Sequence, residues 1–299
     1  MPWSVGSRAC HAPLFLGIAG FQAPQPIVRY NRRVPIPSLG VRVRMAAVGE
    51  ANREHPRSLV SLARTAEDVG ADAFFVDEAD PRGGPNDPFV LLGALSAATS
   101  TLTLGCIANR IGGRPPSMVA KSIASLDVLS DGRALGCLGL PDGDEHVDSL
   151  DELTEALSIV RLMLDVSGAS FLGSHYAIDI AFNEPRSERQ EPVPLGVYLR
   201  SDQQGQEASR WLSAEFVGTL DEAGFIVARP NDAADLSERG VRFISLVEAD
   251  DSERSSAVAD RAKRAFDAGH AGVVLDWATL PSPDRLVDVV TRAALSRPS

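Results

Sequence analysis

The chain has 299 residues, enough to bury one large core or two small ones. Its 40 acidic against 29 basic residues give a formal net charge of −11, which argues against nonspecific binding to nucleic acid or anionic membrane. No apolar run approaches the roughly 18–20 residues a spanning helix needs, and three cysteines (Cys10, Cys106, Cys137) are too few for a disulfide framework, so a reducing, cytoplasmic setting is expected.

Residues 1–38 stand apart. They are rich in proline, carry an apolar stretch at Leu14–Phe21 and a basic cluster at Arg29, Arg32 and Arg33, and show no regular pattern before Leu39. A disordered extension is expected; the other reading is a secretory signal with Arg8 as its charged end.

From Leu39 onward, strand-like and helix-like segments alternate. Strands are expected at Val41–Ala47, Ala73–Asp77, Thr101–Ile107, Ala134–Leu138, Pro194–Leu199, Ala214–Val217, Arg242–Val247 and Gly272–Asp276. Helices are expected at Pro56–Val69, Pro88–Thr99, Pro116–Leu129, Ser149–Leu164, Gln203–Leu212, Ala233–Arg239, Ser252–Ala268 and Pro283–Ala294. Within this series, Asp87-Pro88 reads as an N-cap followed by proline at the first helical position. Leu150, Leu153, Leu157, Val160 and Leu164 form one apolar stripe. Gly224–Ala228 is a further short strand candidate beside the sixth unit. Eight strands, each followed by a helix, predict a (β/α)8 TIM barrel over residues 39–295. A doubly wound open sheet is the alternative, but the first strand lacks a G-x-G-x-x-G turn.

Two details refine this picture. Ala66–Asp77 (AEDVGADAFFVD) echoes Ala265–Asp276 (AFDAGHAGVVLD): each reads as a helix end, a glycine cap and a buried strand ending in aspartate. Residues 166–193 are too long for a plain connection, and Ser170–Asp179 reads as a small hairpin turning at Gly173-Ser174, an excursion from the barrel.

In such a barrel, reactive groups sit at the C-terminal ends of strands. That rule selects Gly49 and Glu50, Asp77 and Glu78, Cys106 to Asn109, Arg200 and Ser201, Glu248, and Asp276 with Trp277; the plainer reading of any one carboxylate is a helix cap or a solvated loop residue. Five scattered histidines (His11, His55, His146, His175, His270) follow no predicted strand directly, so no metal site is expected. Cys106 and Cys137 read as small core residues. Arg110–Arg114 (RIGGR) suits an anion, since glycines expose backbone N–H groups and arginine pairs with phosphate; a simple flexible turn is the equal alternative.

Several of these segments together resemble the luciferase-like monooxygenases, the barrel superfamily of flavin- or F420-dependent oxidoreductases. The resemblance rests on Ser61–Asp72 with Phe75–Glu78, on Asp87–Ser100 running into Leu102–Gly105, on Arg114–Lys121 through Leu126–Arg133, and on Leu150–Leu157 with Phe171–Tyr176. It covers residues 58–176 well, and Asp127–Arg133 (DVLSDGR) is its most specific part. The resemblance implies that the ring of FMN or coenzyme F420 lies over the end of the third strand. Cys106, Ile107, Ala108 and Asn109 would then surround it, with a non-proline cis peptide there. It further implies Arg114 or Arg200 on the cofactor phosphate, Glu78 as acid or base, a small organic substrate, and a homodimer formed through the apolar second and third helices. The chain departs from the family after the second strand, where Ala79 follows Glu78, and after the third, where Arg114-Pro115-Pro116 stands. The loop Pro141–Val147 is short, and Tyr198-Leu199-Arg200-Ser201 replaces a glycine pair after the fifth strand. These departures leave a second reading open, a non-catalytic barrel that binds a ligand or serves as a partner subunit.

Overall fold

The structure, a computed structural model, describes residues 36–44, 55–77, 87–110, 114–139, 149–186, 189, 191–198, 224–228, 242–277 and 280–298. The first units are β1 (Leu39–Arg44), α1 (His55–Asp68), β2 (Ala73–Asp77), α2 (Pro88–Ala98), β3 (Thr103–Arg110), α3 (Pro116–Leu129), β4 (Ala134–Gly139) and α4 (Ser149–Asp165). There follow the hairpin strands β5 (Ala169–Leu172) and β6 (Ala177–Ala181), then β7 (Leu195–Tyr198), β8 (Phe225–Ala228), β9 (Phe243–Ala249), α5 (Ser255–Asp267), β10 (Gly272–Trp277) and α6 (Pro283–Ala294). Eight parallel strands close a barrel in the order β1-β10-β9-β8-β7-β4-β3-β2, and β5-β6 form a separate antiparallel pair. Among the described residues, no helix is long and apolar enough to cross a membrane.

The barrel expected from the sequence is therefore present, with two corrections. Its sixth strand is Phe225–Ala228, paired with β7 and β9 on either side. Ala214–Val217, expected in that place, lies outside the described residues; the strand found falls within the further candidate, Gly224–Ala228. The third strand begins later and ends later than Thr101–Ile107. Its start is delayed because Glu67 of α1 accepts the backbone N–H groups of Ser100, Thr101 and Leu102, drawing those residues into a clamped turn instead of the ladder. The helices expected at Gln203–Leu212 and Ala233–Arg239, and residues 1–35 of the N-terminal extension, also lie outside the described residues.

Alternation along the strands sorts their side chains. One set, including Val41, Val43, Leu104 and Leu275, packs outward against the helices. The inward set, Ala73, Phe75, Ile107, Leu135, Cys137, Phe225, Val227, Ile244, Leu246 and Val274, forms one cluster with Tyr198 packed against it. The bore is filled and is not a pore. Phe225 takes its space from Gly196 on the neighbouring strand, where an added Cβ would lie 2.3 Å from the ring.

The DVLSDGR segment is a built corner. Asp127, buried, accepts the backbone N–H of Ala134 at 3.1 Å and pairs with Arg189 at 3.0 Å. Asp131 and Gly132 take positive φ to reverse the chain. The Arg133 guanidinium then donates to Ser130 O, Thr99 Oγ1, Leu102 O, Ser96 O and Thr99 O, tying the end of α2 to the start of β3.

The hairpin is fastened to α4 in a similar way. Glu155 accepts the N–H groups of Ser174, His175 and Tyr176 at 2.6, 2.8 and 3.0 Å, and the Tyr176 hydroxyl donates to Glu152 at 2.6 Å. Partial burial alone would raise the Glu155 pKa, but the three donors outweigh it and hold the carboxyl below the usual glutamate range. A lowered folded-state value means the clamp is complete above the ordinary glutamate pKa and is lost as the pH falls through that range. Amide-exchange protection at Ser174–Tyr176 is thus expected to fall on acidification. In Glu155→Ala it should already be low at neutral pH, and undiminished protection in that variant would refute the clamp.

Candidate active site

The echo between Ala66–Asp77 and Ala265–Asp276 turns out to be structural. Gly70 and Gly269 both adopt positive φ and end their helices, with Ala71 N bonding Ala66 O and His270 N bonding Ala265 O in each closing turn. The strands that follow, β2 and β10, flank β1 on its two sides. Their final aspartates, Asp77 and Asp276, converge on one residue of β1, Arg42. The guanidinium hydrogen-bonds Asp77 through Nη2 and lies 3.3 Å from Asp276 through Nη1. All three groups are buried, Arg42 to 3% exposure.

This triad sits at the C-terminal ends of the strands, the end where (β/α)8 barrels place ligands. Burial disfavours the guanidinium charge, but Asp77 and then Asp276 outweigh it and hold Arg42 firmly protonated. Tyr198, at the end of β7, lies across the bore with its ring centre 5.2 Å from the Arg42 guanidinium carbon. Burial pushes its phenol pKa up, an effect that the Arg42 charge opposes. Cys137, beside them on β4, has its thiol pushed well up by burial, which marks it as a packed core thiol and not a nucleophile.

The uppermost inward layer is therefore divided. Around the ring, Glu248, Asp276, Arg42 and Asp77 on β9, β10, β1 and β2 make a charged side, Glu248 standing in register with Asp276; Ile107, Cys137 and Val227 on β3, β4 and β8 make an apolar side, interrupted by Tyr198 on β7. A planar ring with one polar and one apolar edge fits such a floor. No cluster of potential metal ligands occurs among the described residues.

The expected site residues fall as follows. Ile107 belongs to the inward cluster, whereas Cys106 packs outward between barrel and helices, so only its backbone faces the mouth. Ala108 and Asn109 continue β3 through a bulge, since Cys106 pairs with Gly136 but Asn109 with Leu138. The non-proline cis peptide expected at this strand end is not found among the described residues, whose recorded cis peptide joins Glu184 to Pro185; a bulge stands in that place. Arg114 pairs with Asp87 at 2.8 Å, and the other Asp87 oxygen caps α2 through Phe89 N and Val90 N. Arg114 thus stands between the starts of α2 and α3 with a carboxylate already beside it. Glu78 and Arg200 lie outside the described residues. Sequence reading identified Asp77 and Asp276 at the rim but missed Arg42. The signal was present in the alternation Val41-Arg42-Val43-Arg44, which puts arginine on the bore face of a strand whose other face is core.

A closed ring of eight parallel strands with a polar layer at its C-terminal mouth defines the class, a (β/α)8 barrel. The sequence profile of the luciferase-like monooxygenases matches residues 39–208, more than half of the chain, and the chain belongs to that family. A curated relative, the phthiodiolone/phenolphthiodiolone dimycocerosates ketoreductase of Mycobacterium tuberculosis, is 31% identical over 157 residues, which are 46% of this chain and 39% of that protein. The chain thus spans about two fifths of that relative's length. Among solved structures, an F420-dependent secondary alcohol dehydrogenase with an F420-acetone adduct superposes with a TM-score of 0.65 at 14% identity, covering 88% of this chain and 99% of that one. The FMN complex of the oxygenating constituent of 3,6-diketocamphane monooxygenase from Pseudomonas putida gives a TM-score of 0.60 at 13% identity, covering 87% and 99%. At these identities the structural likeness establishes the fold.

Replacing Arg42 by methionine removes the guanidinium from between two buried carboxylates. It is expected to lower unfolding stability by about 3 kcal/mol in urea titration, and a loss under about 1 kcal/mol would show that the triad is not held by this charge.

Proposed function

We propose that the chain is an oxidoreductase that uses a flavin-type cofactor, FMN or F420, on a small organic substrate. The observation that carries this reading is the divided floor of the barrel mouth, charged from β9 through β2 and largely apolar on the other side, in a chain of the luciferase-like family. When bound, such a cofactor supplies the hydride or oxygen chemistry itself. The chain's own part is to bind, orient and exclude water. Ile107 and the backbone from Cys106 to Asn109, bent by the bulge in β3, form the wall beneath one side of the ring. Arg42, fixed by Asp77 and Asp276, supplies a permanent positive charge at the floor. Arg114 and Arg200 are proposed for the cofactor phosphate, and Glu78, next in sequence to Asp77, as the acid or base.

Absorbance titration tests this directly. FMN or F420 is expected to bind with a spectral shift in the micromolar range, and Arg114→Ala to weaken that binding without loss of thermal stability. If neither cofactor binds below high micromolar, the reading falls and a barrel that has lost turnover, serving as a ligand-binding or partner subunit, takes its place.

We further propose that the working form is a homodimer built on α2 and α3. Among the described residues, Val90, Met118 and Leu129 on these helices are each more than half exposed, and Val128 adds to the same surface. Exposed apolar side chains gathered on adjacent helices suit a second copy of the chain. Light scattering should give a dimer for the native chain and a monomer for Leu129→Glu; a native monomer at micromolar concentration would refute it.

A further inference from the structure

Resting on the reading just given, we propose that Tyr198 is a ligand-contacting residue whose hydroxyl donates a hydrogen bond to a carbonyl-type acceptor on the molecule seated in the barrel mouth.

The placement comes first. In the ring of eight strands, β7 lies four steps from β1 in either direction, so the two are opposite. Tyr198 reaches back across the bore from the last position of β7, bringing its ring centre 5.2 Å from the Arg42 guanidinium carbon. It stays partly exposed, while Arg42, Asp77 and Asp276 are buried. Tyr198 is thus placed to meet a ligand from this side of the layer.

The charge of its neighbour orients the hydroxyl. The Arg42 guanidinium, always protonated and carrying only donors, faces the Tyr198 ring 5.2 Å from its centre, so the phenol oxygen is favoured with its lone pairs toward that charge and its proton turned away. Its own proton is left to donate. Asp77 and Asp276 act on the phenol through charge alone, and no acceptor for that proton occurs among the described residues. Burial raises the phenol pKa, so the group keeps its proton at neutral pH. A neutral donor beside a fixed cation favours an acceptor on the ligand over an edge that offers only N–H or O–H.

Two sources share that acceptor chemistry, a ring carbonyl of the cofactor and a ketone substrate. The experiment uses protein labelled with fluorotyrosine, whose three tyrosines (Tyr30, Tyr176 and Tyr198) give separable fluorine resonances. Tyr198 is assigned by its loss in Tyr198→Phe. Oxidised FMN and F420 are added alone and then with cyclohexanone. A shift of the Tyr198 resonance with cofactor alone, with Tyr198→Phe binding that cofactor about fivefold more weakly, places the acceptor on the cofactor. A shift only after the ketone is added, with unchanged cofactor affinity in Tyr198→Phe, places it on the substrate. If a cofactor binds the native chain but the Tyr198 resonance stays still in both arms, the inference is overturned while the proposed function survives. If neither cofactor binds, both fall together.

Discussion

Arg42 sets the condition that the rest of this barrel has to satisfy. A guanidinium removed from water costs several kcal/mol unless charge partners surround it, and here the partners come from the two strands that flank β1. Asp276 is 234 residues away along the chain. The ion pair therefore crosses the seam where the first and last strands meet, and it forms only when β10 has paired with β1 in the register that sets Arg42 against Asp276. Closing the barrel and building its charged floor are one event. A slip of one residue in β10 would turn Asp276 outward into the apolar layer beneath the helices and bring Leu275 to face the arginine.

The opposite end of the barrel is organised on a different principle. There, single side chains collect the loose backbone groups of neighbouring turns. Asp72 accepts from Ser38 N, Ser38 Oγ and Leu39 N, Glu67 from the turn before β3, and Asp127 from the start of β4. Arg133 does the converse for the carbonyl groups that end α2. His270, entering β10, bonds Ser245 at 2.6 Å and meets Phe243 edge-on. Each contact joins one β/α unit to the next, so this face stiffens the ring. The C-terminal face can then carry loops of variable length without the barrel depending on them.

Which features were legible in the sequence follows from this division. Strands buried on both sides read as short apolar runs, and the corners between units use glycine, proline and capping residues whose roles are local. Hence Ala73–Asp77, Pro116–Leu129 and Pro283–Ala294 are found with the boundaries their patterns suggest. The hairpin at Ala169–Ala181 was visible for the same reason. The sixth strand was visible only as a further candidate: Gly224–Ala228 reads as a short strand, but with four residues in the ladder its place between β7 and β9 is a property of the closed ring. The start of β3 was misplaced because a glutamate on α1 captures it from 34 residues away. The floor of the site was half legible. Aspartates ending two echoed strands could be seen, but nothing local says that β2 and β10 become the two neighbours of β1, and so nothing local joins Asp77 and Asp276 through Arg42.

Tyr198 gives this arrangement its direction. The resemblance read from the sequence implies a glycine pair after the fifth strand, where backbone amides would serve as donors. Backbone donors are held by the strand itself and need no further support. A tyrosine in that place supplies its polar group from a side chain with two free torsions, and a side chain has to be held. Arg42 holds it from the facing strand, and Asp77 and Asp276 hold Arg42. Order thus passes from the barrel seam, through the buried ions, to the partly exposed phenol above them. A site whose donor is set in this way is organised before any ligand arrives, because the interactions that orient the phenol are the same ones that keep a buried charge from opening the barrel.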